Sequence, residues 1–256
     1  MKVIICQSKE QIDDAHRELD ALQRISHEHI IRLLDHSSIV SKQHGHGARQ
    51  VLMLFPLYPT TAWDRIEAKT ADPDSPWCFS ERQVLKIISG VASALQSMHS
   101  LGFRHNDVKV QNILLTSGTQ EAVLMDLGSV GPAREEVATR SQALRVEEEA
   151  ASKTTAAYRA PELTQTPYPS SIDERSDVFS LGCTAYCLAF GRSPFESPRD
   201  GVSRLAILNG SYTFPSSFCN RDCNFSTKFV GMVEHCLQVS PEARPFCSDI
   251  MESLRE

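Results

Sequence analysis

The stretch Phe103–Leu115, FRHNDVKVQNILL, decides how the rest of the chain is read. It sets a carboxylate (Asp107), an ammonium (Lys109) and an amide (Asn112) within one short segment, directly ahead of the apolar run Ile113-Leu114-Leu115. Asn112–Leu115 reads as a short strand, and a second one, Ala122–Met125, follows a polar turn through Gly118. The second strand delivers Asp126 at its end, within VLMDLG (Val123–Gly128), where Gly128 lets the chain turn sharply. Antiparallel pairing of the two strands brings Asn112 and Asp126 together. A carboxylate oxygen and an amide oxygen are hard ligands, suited to a Mg²⁺ ion that also holds phosphate. Asp107 then faces a hydroxyl nucleophile, and Lys109 neutralises a phosphoryl group in transit. Positioning, charge neutralisation and one carboxylate near the attacking hydroxyl are what phosphoryl transfer requires. Singly these residues say little, because a lone Asp in a turn is usually a local backbone cap.

The chain around this segment has 256 residues, enough for one large domain or two small lobes with real cores. Its 41% apolar and 23% charged residues are those of an ordinary soluble globular protein. A net charge of −6 argues against a nucleic-acid partner. No apolar run approaches the ~20 residues of a membrane span; Leu181–Phe190, interrupted by Gly, Thr and Tyr, reads as a buried helix. The start MKVIICQSKE has no signal-peptide pattern, and Lys2 stands where myristoylation needs Gly, so a cytoplasmic location is expected. The eight cysteines read as reduced, small buried hydrophobes, and neither Cys183/Cys187 nor Cys219/Cys223 has zinc-site spacing. His44 and His46, in HGHG, read as an exposed hairpin tip rather than a ligand pair.

Along the chain, Lys2–Cys6 is β-branched and predicts a strand. Lys9–Ile25 carries Ile12, Ala15, Leu19, Leu22 and Ile25 at helical spacing. Ile30–Leu34 and Val51–Leu57 read as two further strands. From Ser80, whose partner Gln83 completes a capping box, the positions Val84, Ile87, Ile88, Val91, Leu95 and Met98 predict a long helix ending near Gly102. Thr139–Ser152 is Glu/Ala-rich and reads as a helix, with a solvated acidic linker as the alternative. From Asp177 onward the pattern is helical with Pro and Gly breaks. A β-rich front therefore meets an α-rich rear across Pro59–Ser75, which is rich in Thr, Pro and Asp.

The order of the short motifs is more specific than any one of them. HxDxKxxN is followed by DLG, then by Ala160-Pro161-Glu162, then by DVFSLG from Asp177 and a late Arg244 before Pro245. In this order the chain resembles a eukaryotic protein kinase, with HND in place of HRD and DLG in place of DFG. MDLGS, YRAPEL and IDERSDVFSLGC are similar to the Numb-associated kinase group, most of all to its small Golgi-associated, lipid-anchored serine/threonine branch. That group carries an extra helix in the activation segment, where Thr139–Ser152 falls.

The resemblance implies an α+β, two-lobed kinase fold, with residues 1–58 a partial, β-rich N-terminal lobe (third strand, C helix, fourth and fifth strands) and 59–256 the helical C-terminal lobe. It implies a serine/threonine protein kinase that moves the γ-phosphoryl of Mg·ATP to protein hydroxyls. Asp107 would be the catalytic base and Lys109 would contact the transferred phosphate. Asn112 and Asp126 would bind Mg²⁺, and Lys2 with its ion-pair partner Glu18 would anchor ATP. Glu162 and Arg244 would pair inside the large lobe, Asp177 would brace the catalytic loop, and Thr155 would favour Ser/Thr substrates. At the hinge, with Phe55 as gatekeeper, Pro56 would offer adenine a carbonyl, for which its missing N–H costs nothing, and Tyr58 an N–H. A monomer is expected, with membrane association only for a longer, lipidated form.

Two departures stand out. No Gly-rich loop precedes Lys2, so the chain as given is expected to bind ATP weakly and to leave an edge of its small sheet open. This keeps a pseudokinase-like scaffold or a truncated inactive form as the alternative; a kinase fold acting on a small metabolite fits less well with a segment ending in APE. Leu127 for Phe is milder, as is Val110 for Pro. Asn106, the second departure, replaces an arginine that in kinases pairs with a phosphate on the activation segment. Activity is therefore expected to be independent of phosphorylation there. Phosphatase treatment should leave it unchanged, and a large loss on removing phosphate from that segment would refute the expectation.

Overall fold

The computed structural model describes residues 1–40, 48–71, 79–117, 121–215 and 225–255; His44, His46, Gly118, Cys78, Cys219 and Cys223 lie outside them. The front of the chain is β1 (Lys2–Cys6), α1 (Lys9–Arg24), β2 (Asp35–Val40) and β3 (Arg49–Leu54). These strands form an antiparallel sheet in the order β1-β3-β2, with Lys2 opposite Met53 and Asp35 opposite Leu54. In β1 the odd residues Val3 and Ile5 face solvent, so Lys2, Ile4 and Cys6 face inward. Helix α1 starts at Ser8, whose hydroxyl accepts from the Gln11 amide while the Gln11 side chain returns to the Ser8 backbone. It buries Ala15, Glu18, Ala21 and Leu22. An acidic residue on the core-facing stripe is the first sign that this face carries more than packing.

Three expected elements differ. Ile30–Leu34 is not a strand: it contributes one isolated bridge, Ile30 to Leu124. Its apolar residues are consumed differently, Ile30 and Ile31 filling the core while Leu34 is exposed. The strand at this place is β2, whose sequence DHSSIV is exposed throughout and is held by its antiparallel pairing with β3. The third strand ends at Leu54, so Phe55–Tyr58 is a connector. Finally, the polar region after Pro59 contains β4 (Thr60–Thr61) and α2 (Ala62–Ala71). The Asp64 carboxylate accepts from the Thr61 amide and the Thr61 hydroxyl from the Asp64 amide, a reciprocal cap that starts the helix.

The rear is built on α3 (Glu81–Ser100), capped by Ser80 and Gln83 as its sequence predicts, with Val84, Ile87, Ile88, Val91, Leu95 and Met98 all buried. It is followed by β5 (Phe103–Arg104), β6 (Ile113–Leu115), β7 (Ala122–Leu124), β8 (Gly131–Pro132) and β9 (Glu135–Val137). Then come α4 (Arg140–Lys153), α5 (Pro161–Thr164), β10 (Ser170–Ile172) and α6 (Arg175–Phe190). The chain continues through β11 (Glu196–Ser197), β12 (Gly201–Val202), α7 (Arg204–Asn209), α8 (Thr227–Cys236) and α9 (Cys247–Arg255). Helix α4 is a true helix, opened by a Thr139–Gln142 capping box. Helix α6 is apolar around nearly its whole circumference and is buried accordingly, between α3 and α8. No described helix is long and apolar enough to cross a membrane.

One buried ion pair ties the rear together. The Arg244 guanidinium donates to both Glu162 oxygens, at 2.7 and 2.8 Å, and to the carbonyls of Gln238, Arg175 and Val239. Both side chains are buried. Because every part of the fork is satisfied, removing one partner strands a charge. Arg244→Met is therefore expected to cost about 3–5 kcal/mol in urea unfolding, and the double variant with Glu162→Leu clearly less. Equal losses in the single and double variants would contradict this.

Candidate active site

The sequence from Arg104 to Leu115 folds around a carboxylate from elsewhere. Asp177, fully buried in the first turn of α6, accepts the backbone amides of His105 and Asn106, each at 2.8 Å. His99, at the end of α3, adds a contact of 2.9 Å to the same carboxylate. Asn106 has φ +66°, a left-handed conformation that Asn tolerates better than most residues. Its side-chain amide donates to the Ser129 carbonyl at 2.9 Å. At Asn106 the loop is thus tied to Ser129 by an uncharged hydrogen bond. His105 accepts from the Asp107 amide through Nδ1 at 3.2 Å, which leaves Nε2 to donate to the Met125 carbonyl at 3.2 Å.

This turn delivers Asp107 into a dense polar cluster. Asp107 Oδ1 accepts from the Thr155 hydroxyl at 2.7 Å and from the Thr155 amide at 3.0 Å. Its Oδ2 lies 2.6 Å from Lys109 Nζ and 3.1 Å from Asn112 Nδ2. Lys109 Nζ also donates to the Thr155 hydroxyl at 2.7 Å. Asn112 donates a second time, to the Asp107 carbonyl at 2.9 Å, so its amide nitrogen is engaged with Asp107. It sits in a one-turn 3₁₀ segment, Val110–Asn112, just before β6 rather than in the strand.

A second cluster joins three segments far apart in sequence. Lys2 Nζ lies 2.7 and 2.9 Å from the two Glu18 oxygens and 2.7 Å from Asp126 Oδ1. Glu18 is buried, whereas the Asp126 side chain is 46% exposed and open on one side. Burial works to discharge Lys2, but Asp126 and Glu18 overcome it and hold the amine above the usual lysine range. Asp126 is held below the ordinary carboxylate range: burial opposes this, but the Lys2 charge and hydrogen bond, nearby His105 and the Gly128 amide together outweigh it. For the deeper Glu18, burial wins over Lys2 and its pKa rises. Asp126 itself adopts φ +63°, so the turn that sequence assigned to Gly128 is made two residues earlier. Gly128 provides room instead: a Cβ there would stand 3.2 Å from Asp126 Oδ1 and 3.5 Å from Lys2 Nζ.

The hairpin of β6 and β7 joins the clusters. Its register sets Ile113 opposite Leu124, and the Met125 amide donates to the Asn112 carbonyl at 2.9 Å. Phe55, Pro56 and Tyr58 follow β3 in the connector to β4, outside both clusters, with Phe55 and Tyr58 packed on the core. Sequence reading did not single out His99, Ser129 or Lys153. Each acts through a contact between distant segments, and none lies in a recognisable spacing. Among the described residues no group of three or more His, Cys, Asp and Glu is arranged to hold a metal.

Comparison with known proteins gives the family. The protein kinase domain profile matches residues 1–254. The chain belongs to the protein kinase family. Similar proteins include serine/threonine-protein kinase 16 of Rattus norvegicus, 32% identical over 256 residues that cover 99% of this chain and 80% of the relative. The kinase of the same name from Homo sapiens is 31% identical over the same shares. Serine/threonine-protein kinase ENV7 of Saccharomyces cerevisiae is 26% identical over 306 residues, covering 100% of this chain and 81% of the relative. The chain is a serine/threonine protein kinase of mixed α+β fold, and its substrates are proteins bearing Ser or Thr hydroxyls.

Asp177 gives this kinase a testable acid dependence. Burial pushes its carboxyl up, but the His99 contact, the nearby His105 and the amide it accepts hold it below its ordinary value. A lowered folded pKa stabilises the fold above the unfolded pKa and ceases to as pH falls through the folded one. The stability gap between wild type and Asp177→Asn should therefore be full above about pH 5 and narrow below about pH 4, measured as urea midpoints. A gap unchanged down to about pH 3 would contradict the assignment.

Proposed function

We propose that the two clusters are the two halves of one phosphotransfer site. The observation that carries this reading is the Lys2 ammonium held between Glu18 and Asp126, three residues brought together from separate segments at 2.7–2.9 Å. A cation so placed suits the phosphates of ATP, and Glu18 keeps it extended into the cleft. Asp126 and Asn112 fit a Mg²⁺ ion. Asp126 stays ionised and partly open, and the Asn112 amide nitrogen is spent on Asp107, which leaves the oxygen as its donor toward a metal. Magnesium bound there with ATP would neutralise charge on the phosphate oxygens.

The protein's own residues supply the rest. Asp107 is the base for the substrate hydroxyl, and the Thr155 hydroxyl already seated on it at 2.7 Å supports its reach for such a group. Lys109, bonded to the same Thr155 oxygen, faces the phosphoryl group from the Asp107 side. Thr155 favours Ser or Thr acceptors. Pro56 and Tyr58 read adenine next to the gatekeeper Phe55. We take residues 1–58 and 59–256 as the two lobes around this cleft. The motifs MDLGS, YRAPEL and IDERSDVFSLGC support the Numb-associated group, with membrane association only for a longer, lipidated form; we take this protein as a cytoplasmic monomer.

Asp107→Asn is expected to lower kcat on a Ser/Thr peptide by about 10²–10⁴ while the Kd for Mg·ATP changes by less than about twofold. Activity retained in that variant, or ATP binding lost with it, would overturn the division of roles.

A further inference from the structure

The activation segment is tied to the catalytic loop and to α1 by contacts among its own residues. Three contacts run in series. The Asn106 side chain of the catalytic loop donates to the Ser129 carbonyl at 2.9 Å. The Ser129 hydroxyl donates to the Lys153 carbonyl at 2.5 Å, joining the start of the activation segment to the end of α4. Lys153 Nζ then crosses to α1, where it lies 3.0 Å from Asp14 Oδ1. Asp14 stands one helical turn before Glu18, on the same face.

Lys153 is placed to transmit force rather than to decorate a surface. Its side chain is 22% exposed, and Asp14 is 27% exposed. Glu149, one turn earlier on α4, steadies it at 2.9 Å, and Arg17 steadies Asp14 at 2.9 Å. Four alternating charges across two helices form a network, the one setting in which partly exposed ion pairs contribute reliably. Asp14 belongs to the helix whose Glu18 holds Lys2. Displacing α1 outward would break the Lys153 and Lys2 contacts together.

We propose that Lys153 is a positioning residue for the ATP site: from the end of α4 it holds α1 through Asp14, and so keeps Glu18 on Lys2. The contact replaces, with a fixed ammonium, the anchoring that a phosphate and an arginine provide elsewhere. This rests on the assignment of Lys2 and Glu18 as the ATP anchor.

The test uses the whole chain and two readouts. Amide hydrogen exchange over residues 9–24 should rise about threefold to tenfold in Lys153→Met and in Asp14→Asn, with α6 and α9 unchanged. The double variant should be no worse than either single one, and Lys153→Arg should restore protection. Glu149→Gln and Arg17→Gln, which remove a steadying charge but leave the cross-helix pair, should raise exchange less than Lys153→Met does, by under about twofold. The Kd for Mg·ATP should weaken in parallel with exchange. Unchanged exchange in Lys153→Met would overturn the proposal, as would faster exchange with an unchanged ATP Kd. Lys2→Met supplies the separate control: if it leaves ATP affinity intact, the anchor assignment falls; if it weakens binding and Lys153→Met does not, only the coupling falls.

Discussion

A buried carboxylate cannot be left unpaired, and the catalytic loop of this kinase is shaped around that constraint. Asp177 is fully buried, out of reach of bulk solvent, and its carboxylate is satisfied by neighbouring backbone amides. It takes those of His105 and Asn106, and His99 closes the arrangement. Two successive amides pointing at one carboxylate force the backbone at Asn106 into the left-handed region. The next residue, Asp107, is thereby turned toward Thr155, Lys109 and Asn112. The chemistry of Asp107 is thus set by a residue seventy positions later in the chain, and any change at Asp177 or Asn106 acts on the site through backbone direction.

The cleft then concentrates charge of both signs. Asp107, Lys109 and Thr155 share hydrogen bonds on one side, and Lys2, Glu18 and Asp126 on the other. Each cluster nearly neutralises itself, which limits the cost of gathering ionised groups. The more open member, Asp126, has its pKa lowered because Lys2, His105 and the Gly128 amide together outweigh its burial. For the deeper Glu18, burial raises the pKa against the pull of Lys2, and on the proposed reading it holds Lys2 while Asp126 faces the ligand. The same pairwise contact therefore assigns different work to its two carboxylates.

Much of this was legible from residues in series. Ser80 with Gln83 and the stripe from Val84 to Met98 specify α3, and Thr139 with Gln142 specifies α4, because helix caps and periodicity are local signals. Asp107, Lys109, Asn112 and Asp126 were legible because their order along the chain is distinctive. What was not legible depends on partners. DHSSIV has no apolar alternation and becomes a strand only because β3 offers it an edge. Ile30–Leu34 has strand composition, yet His29 and Ile31 bond to Leu124 and draw the segment into a connector against β7. Helix α2 was hidden in a Pro- and Asp-rich stretch because its Thr61–Asp64 cap was not weighed. His99 and Lys153 had no spacing to mark them, since their roles exist only across the fold.

The central claim is that Lys2, Asn112 and Asp126 form one magnesium-dependent nucleotide site. A thermal-shift titration with ATP, with and without Mg²⁺, in wild type and Asp126→Asn, tests it most directly. Ligand bound only to the folded state stabilises it by about 2.7 kcal/mol at a hundredfold excess over Kd. The account predicts a rise in Tm at millimolar ATP that requires Mg²⁺ and disappears in Asp126→Asn. A rise of the same size in that variant, or no dependence on Mg²⁺ in either protein, would contradict it.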